Sequence, residues 1–193
     1  QQQLPAGGEP VRHGGQHRLT GHPVCHHSGL PGTGKSTLAR QLARQLKAVY
    51  LRVDSVEAAL LNAMNQSVTV EGYAAAYAVA ADNLKLGFPV VVDCVNPIAV
   101  TREAWADTAA ACAAPLVNIE LICSDLAEHQ RRVELRHEDK LNHEGQWQPP
   151  NWAQVQDTAD FYQDWQIPRT VLDTAQGTPQ ENFRALLSRL PDA

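Results

Sequence analysis

Gly29-Leu30-Pro31-Gly32-Thr33-Gly34-Lys35-Ser36, followed by Thr37-Leu38-Ala39, fits the phosphate-binding pattern G-x-x-x-x-G-K-[ST] at every defined position. Gly29, Gly32 and Gly34 carry no Cβ, so the backbone can curl and turn several N–H groups onto one anion. The helical pattern that starts at Lys35 adds the partial positive charge of a helix N-terminus at the same place. Lys35 brings a mobile charge for the β- and γ-phosphates, and Ser36 an oxygen for the magnesium ion that bridges them. A glycine-rich turn that merely caps a helix has no need of the Lys-Ser pair. The stretch therefore predicts a nucleoside triphosphate site, with ATP held by Gly29, Leu30, Pro31, Gly32, Thr33, Gly34, Lys35, Ser36 and Thr37, and Mg2+ by Ser36.

Upstream, the reading is less regular. A buried parallel strand should be a near-continuous apolar run, yet Pro23-Val24-Cys25-His26-His27-Ser28 puts two histidines where Val or Ile is expected. Two alternatives stand: a weak strand, or a sequence before Ser28 that is not the native reading frame. Residues 1–21 are dominated by Gln, Gly, Pro and His and read as a disordered or non-native tail before a domain over 22–193. His13, His17, His22, His26 and His27 match no metal-ligand spacing. The chain begins at Gln1 without Met, which leaves a fragment, processing or a gene-model error open.

Downstream, Leu38, Ala39, Leu42, Ala43 and Leu46 give a helix over about 35–47. A strand follows over 48–53, and Asp54 opens the next helix. Tyr73, Tyr77, Ala80 and Leu84 mark a further helix closed by Gly87. Pro89-Val90-Val91-Val92-Asp93 is the clearest strand, after which Asn96-Pro97 restarts a helix with Trp105, Ala109 and Cys112 inward. Leu116–Cys123 is a strand, Ser124 can cap the helix after it, and 139–152 reads as a mobile polar loop. A last strand ends at Asp173, and Thr178-Pro179-Gln180-Glu181 has capping-box spacing before the terminal helix. Strands alternating with helices give an α/β fold, a parallel sheet covered on both faces, with ligands outside the strands' carboxyl ends.

Asp54, Asp93 and Asp173 all fall at such ends. Asp93 is read as the acid that holds magnesium opposite Ser36. Asp54 is either an N-cap paired with Glu57 or the general base toward a substrate hydroxyl. Arg132 and Arg136 share a helix face and can neutralise charge on the transferred phosphoryl group, unless Glu128 pairs with Arg132 as ordinary surface. The polar segment around 125–152 would be a lid, and His129, His137 and His143 would decorate its surface.

The net charge of −5 over 193 residues argues against a non-specific nucleic-acid coat, and Cys25, Cys94, Cys112 and Cys123 show no disulfide framework. No apolar run is long enough for a membrane span. The expected setting is the cytoplasm.

In motif order from about Ser28 to Leu190, the chain resembles the small P-loop kinases, an AAA-type group related to chloramphenicol phosphotransferase, zeta-toxin-type kinases and polynucleotide kinase. The likeness runs from Gly29–Thr37 through Tyr50-Leu51-Arg52-Val53-Asp54-Ser55 and Gly87–Asp93 to Arg132-Val133-Glu134-Leu135-Arg136. It implies a P-loop three-layer sandwich with a five-stranded parallel sheet in order 2-3-1-4-5. It also implies that Asp54 acts as base, that Asp93 supports the metal, and that Arg132 and Arg136 contact phosphate. Polynucleotide kinases carry D-x-x-R after the second strand, whereas Glu57 stands there in this chain, which lowers the case for a nucleic-acid substrate. The leading expectation is a kinase that uses Lys35, Asp54, Arg132 and Arg136 to move the γ-phosphoryl group of ATP to a small-molecule hydroxyl. The alternatives are a nucleotide switch acting through a protein partner and a polynucleotide 5′-hydroxyl kinase.

Overall fold

The computed structural model describes residues 22–190, so the expectations for residues 1–21, including His13 and His17, lie outside it. Five parallel strands form one sheet in the order β2-β3-β1-β4-β5, the expected topology. Their bounds are β1 Val24–Ser28, β2 Val49–Arg52, β3 Val90–Asp93, β4 Leu116–Ile122 and β5 Thr170–Asp173. The helices are α1 Lys35–Leu46, α2 Val53–Met64, α3 Glu71–Lys85, α4 Ala99–Ala111, α5 Leu126–Glu138, α6 Trp152–Phe161 and α7 Pro179–Arg189.

The two-residue period of the strands divides the core into two layers. Val24, Val90, Val92 and Leu51 face α3 and α4 through Ala76, Ala80, Leu84 and the fully buried Trp105. Cys25, Val91, Val117, Ile119, Leu121 and Leu172 face α1 and α7 through Leu38, Ala39, Leu42 and Leu186. Alanines on the helices let them lie close to a β-branched sheet, which explains a core with few aromatics.

The doubtful first strand is a full member of the sheet, central and paired on both sides. His26 and His27 are both fully buried. His26 is accommodated by a polar pocket: its ring meets Ser28 Oγ at 2.9 Å, Cys94 Sγ at 3.2 Å and the Asn96 amide at 3.3 Å, and lies 5.0 Å from the Trp105 ring. His27 lacks such company, and neither ring nitrogen has a hydrogen-bond partner. Burial pushes both imidazoles down, His26 to about 3 and His27 to about 4, so both are neutral.

Several boundaries differ from the sequence reading. Asp54 is not an N-cap, because α2 begins one residue earlier with Arg52 in the cap position. Asp125 rather than Ser124 caps α5, accepting the Glu128 N–H. Asn96 takes a left-handed turn at φ 53°, and α4 starts only at Ala99. The polar segment after α5 holds a 3₁₀ turn over Lys140–Asn142 and a bridge between Glu144 and Trp147. It then runs into α6, which the sequence reading missed and which a capping box of Asn151 and Gln154 opens.

Candidate active site

The phosphate loop joins the carboxyl end of β1 to the first turn of α1. Gly29 has φ 136°, and a Cβ there would collide with the Leu121 carbonyl of β4. Gly32 has φ 84°, and its Cβ would lie 2.5 Å from Val133 Cγ2 on α5. Both positions therefore exclude a side chain by backbone conformation and by close approach. Contacts from three sides hold the loop. The Lys35 ammonium and the Thr33 hydroxyl both donate to the Leu30 carbonyl at 2.9 Å. The Thr174 hydroxyl, just past β5, donates to Thr33 O at 2.8 Å, and His129 Nε2 on α5 donates to Pro31 O at 2.8 Å. The Gly29 N–H is committed to Val95 O at 3.2 Å.

A cavity of about 580 Å³ opens over this loop, lined by Gly32, Gly34, Lys35, Ser36 and Thr37. Gly29, Leu30, Pro31 and Thr33 of the loop are not part of that lining. Four arginines (Arg40, Arg52, Arg132 and Arg136) complete much of the wall, against one acid, Glu144. Burial pushes the Lys35 ammonium below its ordinary range, a tendency that the nearby Asp93 and Asp54 oppose.

The sequence-predicted acids flank this cavity rather than line it. Asp93, at the end of β3, is buried, and its Oδ2 accepts the Tyr50 hydroxyl at 2.7 Å. Asp54, in the first turn of α2, has Oδ2 3.5 Å from Arg52 and 3.8 Å from Arg136. Burial raises its carboxyl above the usual range, and Arg52, Lys35 and Arg136 pull the other way. Burial likewise pushes Glu57 up to about 7, with the Asp54 charge adding to it. Asp173 is a loop brace that accepts the backbone N–H groups of Ser124 and Ala175.

The two arginines of α5 differ. Arg132 donates to Glu128 at 2.7 Å and reaches Thr174 Oγ1 and O at 3.0 and 2.8 Å, so it ties α5 to the β5 end while lining the cavity. Arg136 meets only the loose Asp54 contact among the ion pairs of the described residues. The histidines expected on the surface are braces instead. His129 is buried against Trp152, and His137 and His143 bond the Pro149 and His137 carbonyls.

The sequence reading did not single out Arg52, Glu144, Asn62 or Thr174. Arg52 donates to Glu144 at 2.6 Å and to Ser55 at 3.1 Å, and lies 5.3 Å from the Trp147 ring centre. Asn62 donates to Glu144 O at 2.8 Å and accepts from Gln146 N at 2.7 Å. These contacts fasten the segment after the 3₁₀ turn to β2 and α2. The one local signal was an arginine two positions before Asp54 in a strand otherwise apolar; its partner lies far along the chain.

The sequence profile of a family described as an AAA domain matches residues 24–161. No curated protein matches the chain. Among solved structures, Kti12 of Chaetomium thermophilum with ADP-AlF3 superposes with a TM-score of 0.65 at 20% identity, over 88% of this chain and 100% of that one. A gluconokinase from Sinorhizobium meliloti 1021 gives 0.62 at 19% identity, over 87% and 93%. The APS kinase CysC of Mycobacterium tuberculosis with AMPPNP and APS gives 0.62 at 19%, over 87% and 96%. The fold is thus that of P-loop kinases.

Proposed function

The chain belongs to this AAA-domain family, and on that premise we propose that it is an ATP-dependent kinase that phosphorylates a hydroxyl of a small-molecule acceptor. One observation carries the reading: the carboxylate of Asp54 stands at the β2–α2 junction between Arg52 and Arg136, beside the phosphate loop. Phosphoryl transfer to an alcohol needs an acceptor for the hydroxyl proton, and a carboxylate at this place supports that reading beyond its ion pairs. Two of the fold's neighbours are by name kinases of small molecules, which supports the acceptor class. Glu57 in place of an arginine and the net charge of −5 weigh against a polynucleotide.

In this reading the loop amides and Lys35 bind the β- and γ-phosphates of ATP. Asp54 takes the proton as the acceptor oxygen attacks the γ-phosphorus and the bond to the β-phosphate oxygen breaks. Arg136 offsets charge on the moving phosphoryl group, and Arg132 holds the β5 end against the loop while adding its own charge. The residue types suit a magnesium ion: Ser36 lines the cavity, Asp93 at its flank is a hard-oxygen donor that also accepts the Tyr50 hydroxyl, and such an ion takes few protein ligands because phosphates supply the rest. When bound, it would neutralise phosphate charge from Ser36 and Asp93. The Asp139–Asn151 segment acts as the lid that excludes water. Free thiols at Cys25, Cys94, Cys112 and Cys123, and the lack of any described helix long and apolar enough to cross a membrane, suit a cytoplasmic setting.

Asp54→Asn tests this. Transfer to acceptor is expected to fall by about 10²-fold or more while Mg-ATP binding persists. Because only the ionised carboxylate accepts a proton, wild-type activity rises with pH through the Asp54 pKa, and that acid limb lies above the ordinary carboxylate range. Phosphate accumulating with no acceptor labelled in a broad hydroxyl panel would instead indicate a nucleotide switch.

A further inference from the structure

The kinase reading assigns no duty to Arg52, yet its surroundings are unusual for a structural arginine. It lines the cavity next to Asp54, and only 13% of its side chain is exposed. A guanidinium presents a planar fork that fits a two-oxygen anion. Here the fork is incompletely used. Nη1 donates to Glu144 and Ser55, Nη2 stands 3.5 Å from Asp54, and the buried Nε has no partner. Trp147 lies across the guanidinium and leaves the edges for hydrogen bonding.

The carboxylate on Arg52 comes from the segment that forms the cavity's rim. Glu144 Oε1 makes a single close contact of 2.6 Å with Nη1, and the Glu144 side chain remains 38% exposed. Asn62 holds the Glu144 backbone separately, so this side chain can leave without undocking the segment. Besides Lys35, Arg132 and Arg136, which the kinase reading gives to the nucleotide, the lining carries two further cations, Arg40 and Arg52. Arg52 is the one beside Asp54, at 3.5 Å.

We propose that Arg52 seats an anionic group of the acceptor, a carboxylate or phosphate on the same molecule as the reacting hydroxyl, and that Glu144 occupies this seat until the acceptor displaces it. The inference rests on the kinase reading and narrows its substrate to hydroxylated anions. An acceptor held at Arg52 has its hydroxyl brought toward Asp54, two residues along the chain. Glu144 sets a threshold, since a ligand must outcompete an intramolecular carboxylate.

Steady-state assays with Mg-ATP test it on D-gluconate and D-glycerate, on glycerol 3-phosphate, and on neutral glycerol and glucose. Turnover is expected with an anionic acceptor only, and the three anions separate carboxylate from phosphate recognition. Arg52→Gln should raise the KM for that acceptor at least tenfold, with Arg52→Lys recovering part of the loss. Glu144→Gln should lower the same KM several-fold; a Glu144 that merely fastened the rim would raise it. A neutral acceptor turned over equally well by wild type and Arg52→Gln would overturn the inference and leave the kinase reading intact. Slow phosphate release with every acceptor unlabelled would overturn both.

Discussion

At the scale of single residues, His27 is the least expected feature. It occupies the centre of the sheet, fully buried, with both ring nitrogens unpartnered. An unpaired buried polar group costs about 1–3 kcal/mol, so a shape-compatible apolar residue should stabilise the fold. We expect His27→Ile to raise the stability measured by urea unfolding by about 1 kcal/mol or more near pH 7. Its folded-state pKa of about 4 lies below the unfolded value, so between pH 6.5 and about 4 the unfolded chain binds the extra proton. The native state thus loses stability as pH falls through that window, by about 1.4 kcal/mol per unit for this group. The advantage of His27→Ile should widen by that slope on acidification. Glu57, raised to about 7, acts in the opposite sense in both proteins and cancels in the comparison. A variant less stable than wild type at all pH values would contradict this account.

Among elements, the segment after α5 distinguishes what sequence could and could not reveal. The phosphate loop, the Val90–Val92 strand and the Thr178 capping box were readable because their signals are local: glycine spacing, a β-branched run, a Ser/Thr-x-x-Glu pattern. Residues 139–152 read as a mobile loop in the sequence because they lack periodicity. The order of this segment comes from partners far away in the chain, with Arg52 and Asn62 meeting Glu144 and Gln146. α6 was missed for a different reason: its helix buries Val155 alone, so no apolar stripe marks it, although the capping box of Asn151 and Gln154 at its start is local. β1 shows the converse, where a pattern contrary to strand expectation is overridden by pairing on both sides and by a polar pocket around His26. At the site, Lys35 and the loop were plain from sequence. Arg52 and Glu144, 92 positions apart, were not. If Asn62 is the clamp on this segment, Asn62→Ala should speed amide exchange over residues 144–147 while the global unfolding midpoint shifts little. Unchanged exchange there would show that the segment is held by other contacts.

For the whole molecule, the sheet order places the carboxyl ends of β1, β2 and β3 side by side, and with them the phosphate loop, Asp54 and Asp93. The arginines of α5 and the Thr174 brace after β5 close the opposite wall. Everything proposed for function depends on this end of the sheet receiving a triphosphate. Thermal unfolding with and without Mg-ATP, beside a Lys35→Ala control, therefore tests the central claim most directly. The comparison is of shifts, because removal of the Lys35 bond to Leu30 can change the control's own midpoint. Ligand at about 100 times its dissociation constant adds about 2.7 kcal/mol, enough to raise the midpoint by several degrees. The expected result is such a shift in the wild type and its loss in Lys35→Ala. A cooperatively unfolding wild type with no shift, or an equal shift in the control, would contradict it.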